Sequence, residues 1–146
     1  MRVDGNRERF GFSLDRQSGV PVYRQLIDRV QAGMAAGTLK VGDQLPTVRQ
    51  VAVDLEINPN TVMRAYREME IRGMVDTQQG MGTFVAERSL TAAPLEERAR
   101  QLAAVAMDAM ARAGAAGFTL RELMDALVAI GNREQGTDAR FMDRVE

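Results

Sequence analysis

Apolar positions recur at helical spacing in five stretches of this chain, and between the third and fourth the pattern changes to short runs suited to strands. Val22, Leu26, Val30 and Met34, widened by Tyr23 and Ile27, predict a helix of about fifteen residues that opens at Pro21 and ends at Gly37. Val48, Val51, Ala52 and Leu55 predict a second helix. Thr47 is its cap, and Gln50 three residues later fits a capping box. Asn58 caps the third helix, with Pro59 at its first position, and Gly73 stops it. Val62, Ala65, Tyr66 and Met69 form the inward stripe of that helix. Only Glu56 to Asn58 separates the second helix from the third, which is the spacing of a helix-turn-helix. Met74–Thr77 and Thr83–Ala86 are strand candidates joined by Gln78-Gln79-Gly80-Met81-Gly82, so a hairpin, or wing, follows directly.

The flanking pattern is weaker. Phe10, Phe12 and Leu14 alternate with small or polar residues and predict one short strand inside a polar extension, residues 1–18. Whether that extension packs or lies loose is left open by its composition. Leu39-Lys40-Val41 predicts a short edge strand beside the wing. Residues 88–94 lack periodicity and end in Pro94, which reads as a linker. A helix from Pro94 to about Ala113 carries Leu95, Ala99, Leu102, Ala106 and Met110, and Gly114 stops it. Thr119 and Glu122 form a capping box, with Phe118 and Leu123 placed as a staple, for a last helix bearing Leu120, Leu123, Met124, Leu127 and Val128 and ending at Gly131. The expected fold is mainly α with a small β wing (α+β). Residues 19–87 form a winged helix-turn-helix, residues 95–131 a helical hairpin, and residues 132–146 a charged tail. Two helices cannot close a core alone. Their small, alanine-rich stripe points to a second chain, with Leu95, Leu102, Ala106, Met110, Leu123 and Leu127 at a dimer interface.

Composition removes several functions. The 146 residues include no cysteine and no histidine, so thiol chemistry, the usual proton shuttle and the commonest zinc ligand are absent. No nucleophile–base pair or phosphate loop is visible, and no catalytic residue, metal or cofactor is expected. The N-terminus has no signal-peptide core and no apolar run is long enough to span a bilayer, which fits a cytoplasmic protein. The net charge is −1, and residues 19–86 hold seven basic against seven acidic side chains. Any nucleic-acid contact must therefore come from local placement of arginines, with modest non-specific affinity.

The third helix offers that placement. Asn60, Thr61, Arg64 and Arg67 fall on its outer faces and carry the groups that read base edges and phosphates. An Arg64–Glu68 pair at i,i+4 is the plainer reading. The two glycines of the wing, Gly80 and Gly82, permit a tight turn and close approach to DNA.

The blocks Pro21-Val22-Tyr23-Arg24-Gln25-Leu26, Gly42-Asp43-Gln44-Leu45-Pro46-Thr47-Val48-Arg49, Asn58-Pro59-Asn60-Thr61-Val62-Met63-Arg64-Ala65-Tyr66, Arg72-Gly73 and Gly80-Met81-Gly82-Thr83-Phe84-Val85 occur in this order. In them the chain resembles the winged helix-turn-helix of the GntR family of bacterial transcription regulators. The resemblance implies that Arg49 contacts DNA, against an internal bridge to Asp54 or Glu56, and that Thr47, Asn58, Asn60, Thr61, Arg64, Arg67, Gly80 and Gly82 belong to the DNA-binding surface. The short two-helix tail resembles the YtrA subfamily, which implies a homodimeric repressor of an inverted-repeat operator in double-stranded DNA, often beside transporter genes. A small-molecule effector has room between the tail helices of two chains, although no polar groups converge there. The competing reading is a winged-helix protein-interaction module without specific DNA binding.

Overall fold

The computed structural model describes residues 10–87 and 94–136, which belong to two compact units. The first contains α1 (Val22–Ala36), α2 (Val48–Leu55), α3 (Pro59–Ile71) and an antiparallel hairpin of β1 (Val75–Gln78) and β2 (Gly82–Val85). The second contains α4 (Leu95–Ala115) and α5 (Leu120–Gly136). The expected helix-turn-helix and wing are present in the expected order.

One core holds the first unit together. Leu26, Ile27 and Val30 from α1, Val51 and Ala52 from α2, Val62, Ala65, Tyr66 and Met69 from α3, and Met74, Val75 and Val85 around the hairpin form one buried cluster. A fully buried side chain of this kind contributes roughly 1.5–3 kcal/mol relative to exposure. The strand register sets Val75 opposite Val85, so both ends of the hairpin return to this core.

Two expected strands are absent, for separate reasons. Residues 10–15 form no strand, and side chains of α1 meet the backbone groups of Gly11 and Asp15. Arg29 Nε donates to the Gly11 carbonyl at 3.0 Å, and Gln25 Oε1 accepts from the Asp15 amide at 2.8 Å. The segment packs rather than lying loose. Phe10 is 5% exposed and edge-on to Phe12, with the Arg29 guanidinium 5.2 Å from its ring centroid. A Cβ on Gly33 would stand 3.1 Å from a Phe10 ring carbon, so α1 makes room for this ring by lacking a side chain there. Residues 39–41 are otherwise engaged. The Thr38 and Leu39 amides donate to the Gly33 carbonyl and close the end of α1, Leu39 is buried, and the Lys40 amide donates to Asp43 Oδ2 at 2.8 Å. Pairing with the wing starts later: Gly42 donates to the Val85 carbonyl, Val85 to the Asp43 carbonyl and Leu45 to the Thr83 carbonyl.

In the second unit the capping box is reciprocal: Thr119 Oγ1 accepts from the Glu122 amide at 3.2 Å, and Glu122 Oε2 accepts from the Thr119 amide at 2.8 Å. Both helices outrun the glycines expected to end them. α4 continues through Gly114 and α5 through Gly131 to Gly136, because one glycine in a helix costs only about 1 kcal/mol against alanine. The helical segment thus extends past residue 131 into the expected charged tail. No residue of α4 is buried within the chain. Residues 1–9, most of the 88–94 linker and residues 137–146 lie outside the described residues.

Phe10 makes the N-terminal segment part of the winged core. Phe10→Ala should lower the stability of the winged unit by about 3 kcal/mol in chemical denaturation, as for a buried phenylalanine whose cavity collapses only partly.

Candidate nucleic-acid interface

The first turn of α2 is built by its cap. Thr47 Oγ1 accepts from the Gln50 amide at 3.1 Å and keeps its own O–H as a donor. Gln50 does not complete the box. Its Nε2 donates instead to Asp54 Oδ1 at 2.7 Å, one turn further along. Arg49 is exposed and makes no ion pair among the described residues, so the internal bridge to Asp54 or Glu56 is not formed. No acidic residue occupies the first turn of α2 or α3, which leaves the positive ends of both helix dipoles uncompensated and favourable to phosphate.

The first turn of α3 is set by Asn58, whose Oδ1 accepts from the Asn60 amide at 2.9 Å. Asn58 is thus a cap, with only its amide N–H groups left to offer. At 3.6 residues per turn, Asn60, Arg64 and Arg67 lie along one outward line, opposite the buried Val62, Ala65 and Met69. Thr61 sits on the flank and is half-buried. The alternative Arg64–Glu68 pair is not formed: Glu68 Oε1 binds Arg72 Nε at 3.0 Å. Arg64 instead lies over the ring of Tyr23 in α1, with its Cζ 3.9 Å from the ring centroid. Tyr23 packs against the core, as expected of an aromatic in the α1 stripe, but it also carries a cation. Local spacing contains no signal of this, because the two residues belong to different helices.

Tyr66 fixes α3 against the approach to α2 by donating its phenol to the Pro46 carbonyl. Burial pushes the Tyr66 pKa up, so the phenol remains a donor well into the alkaline range.

The wing turn closes through the Met81 amide on the Gln78 carbonyl at 3.0 Å. Its two glycines differ. Gly80, at φ 77°, is exposed and has open space around it. Gly82, at φ 128°, is packed: a Cβ there would stand 2.4 Å from Gln44 Nε2, which donates to the Met81 carbonyl at 3.0 Å. Gly80 is therefore the glycine open to a partner, while a side chain at Gly82 would be strained by its backbone and would displace the Gln44 amide. Gln44 is a positioning residue that the sequence pattern did not single out. The described residues contain no group of acids able to hold a metal ion.

Gly82→Ala should cost about 2 kcal/mol and Gly80→Ala about 1 kcal/mol, since only the first adds a steric conflict to backbone strain. Hydrogen exchange at the Val85 amide, which donates to Asp43, reports the wing directly and should speed up more for Gly82→Ala.

Comparison with known proteins agrees with this geometry. The model of the family described as "Bacterial regulatory proteins, gntR family" matches residues 22–85, from the start of α1 to the end of the wing. The chain is 44% identical over 73 residues to the uncharacterized HTH-type transcriptional regulator YhcF and 40% identical over 78 residues to the HTH-type transcriptional repressor YtrA, both of Bacillus subtilis. These matches cover 50% and 53% of this chain and 60% of the length of each relative. The HTH-type transcriptional regulator Rv1152 of Mycobacterium tuberculosis is 40% identical over 93 residues, covering 64% of this chain and 77% of that one. The crystal structure of a transcriptional regulator from Oenococcus oeni superposes with a TM-score of 0.52 at 32% identity, covering 80% of this chain and 95% of that one. With a relative matched over most of its length, and with the family pattern lying on the helix-turn-helix and wing, this chain belongs to the GntR family of bacterial regulatory proteins, regulators of transcription, and it is YtrA-like within that family.

Proposed function

We propose that the protein is a sequence-specific DNA-binding repressor that acts as a homodimer on an inverted-repeat operator. One observation carries this reading: the outward line of α3 presents Asn60, Arg64 and Arg67 with no acid paired to either arginine among the described residues. α3 enters the major groove, where an arginine reads the O6 and N7 of guanine and an asparagine reads adenine. Thr47, Arg49 and the first turn of α2 meet the phosphate backbone, and the open Gly80 lets the wing tip approach the duplex. The repressor sense and a place beside transporter genes rest on likeness to YtrA, which is named a repressor.

The partner for the second unit is another copy of the chain. Leu95, Leu102, Met110, Met124 and Leu127 are exposed on α4 and α5, from 86% at Leu95 to 44% at Met110, and Leu123 and the small Ala106 belong to the same apolar stripes. Apolar surface of this extent ordinarily marks an interface. A cleft lined by Ala109, Arg112, Ala113, Phe118, Glu122 and Leu123 lies between the two helices, and a small-molecule effector would sit where two such tails meet. A protein-interaction module is the competing reading, favoured by the net charge of −1.

Selection of duplexes from a randomised library by the wild-type protein decides between the two. An inverted repeat should be enriched, and no enrichment would favour the interaction module. On the selected duplex Arg64→Ala should weaken binding by about 1–3 kcal/mol and relax the preference at one base pair per half-site. Leu102→Asp places two carboxylates in an apolar two-fold interface. That variant should sediment as a monomer and bind a two-half-site operator poorly, with the winged unit still folded. A Leu102→Asp protein that stays dimeric would move the interface elsewhere.

A further inference from the structure

We propose that Tyr23 is the positioning residue for Arg64, so that base discrimination by α3 depends on an aromatic ring supplied by α1. This rests on the DNA-reading role of α3 proposed above. The guanidinium carbon of Arg64 lies 3.9 Å from the Tyr23 ring centroid, well inside the roughly 6 Å at which a cation is held by a ring face. Tyr23 is half-buried and packs against the core of the winged unit, so the platform is firm. The acid one turn away that could compete for Arg64, Glu68, is held by Arg72 at 3.0 Å.

The chemistry of the two alternatives differs. An ion pair with Glu68 would occupy the guanidinium N–H donors. A guanidinium held over a ring face has no acceptor oxygen occupying its N–H donors, which stay available for a bidentate contact with guanine. An arginine free in solvent would lose rotamer freedom on binding, whereas one already held loses less. The ring therefore orients the arginine and keeps its donors available.

The probe is the duplex that the wild-type protein selects from a randomised library. Tyr23→Leu should bind it about three- to tenfold more weakly, the range expected for loss of one cation–ring contact. The loss should appear as weaker discrimination at the base pair whose preference Arg64→Ala relaxes, with binding to a scrambled duplex unchanged. Tyr23→Phe keeps the ring and should bind like wild type. In an Arg64→Ala background, Tyr23→Leu should have no further effect. A second reading needs no core substitution: in the free wild-type protein the Arg64 side-chain protons should be shifted upfield by the ring current. Absence of that shift overturns the proposal. So does a Tyr23→Phe protein as weak as Tyr23→Leu, or a full Tyr23→Leu effect without Arg64, since either outcome means that Tyr23 touches DNA itself. If the wild-type protein selects no duplex, the DNA-reading role fails. If it selects one and Tyr23→Leu reads it normally, only the positioning role fails.

Discussion

α3 buries one face and exposes the other, and the winged unit is arranged around the buried one. Its inner face, Val62, Ala65 and Met69, is fully buried, and it packs against α1, α2 and the start of the hairpin. A close-packed interior transmits small displacements rather than absorbing them. The direction of the outer line, Asn60, Arg64 and Arg67, is therefore set by side chains that never meet solvent. The Tyr66 phenol on the Pro46 carbonyl extends this control to the turn that launches α2, so that the first turns of both helices are fixed by one helix.

A core this small needs help, and it comes from irregular segments whose backbones are satisfied by side chains. Gln25 is the clearest case: its amide group accepts from the Asp15 amide and donates to carbonyls of Asp15 and Val20, stitching the N-terminal segment to α1. Arg16 extends the same segment to the Leu55 carbonyl at the end of α2. Gln44 does the equivalent for the wing. In a domain of near-neutral charge, Arg49 and Arg64 make no ion pair among the described residues. Glu68 and Asp54 are both committed to internal partners, Arg72 and Gln50, which removes two acids from competition for Arg64 and Arg49.

The helix-turn-helix was legible because its signals are local. Thr47, Asn58 and Pro59 fix helix starts within one turn, and the stripe of α3 follows from its 3.6-residue period. The reading fell short wherever a partner distant in the chain decided the outcome. Phe10 alternates like a strand residue, but Gly33 and Arg29 make it a core residue without a ladder. Residues 39–41 have strand composition, but their polar groups are used to close α1 and the following turn. Gly114 and Gly131 look like helix stops, yet one glycine costs too little to end either helix. Within the candidate site, Arg49, Arg64 and Gly80 could be named from type and position. That Gly82 packs against Gln44, and that Arg64 rests on Tyr23, needed the packing of separate elements.

The central claim is that the outward line of α3 is what meets the base edges of duplex DNA. Its most direct test is a nuclear magnetic resonance titration of the isotope-labelled full chain with its selected duplex and, separately, with a scrambled one. The account predicts that Arg49 and the wing tip respond to both duplexes. Asn60 and Arg64 side-chain resonances should respond strongly to the selected duplex alone. Equal responses of Asn60 and Arg64 to both duplexes, or changes confined to α4 and α5, would contradict it.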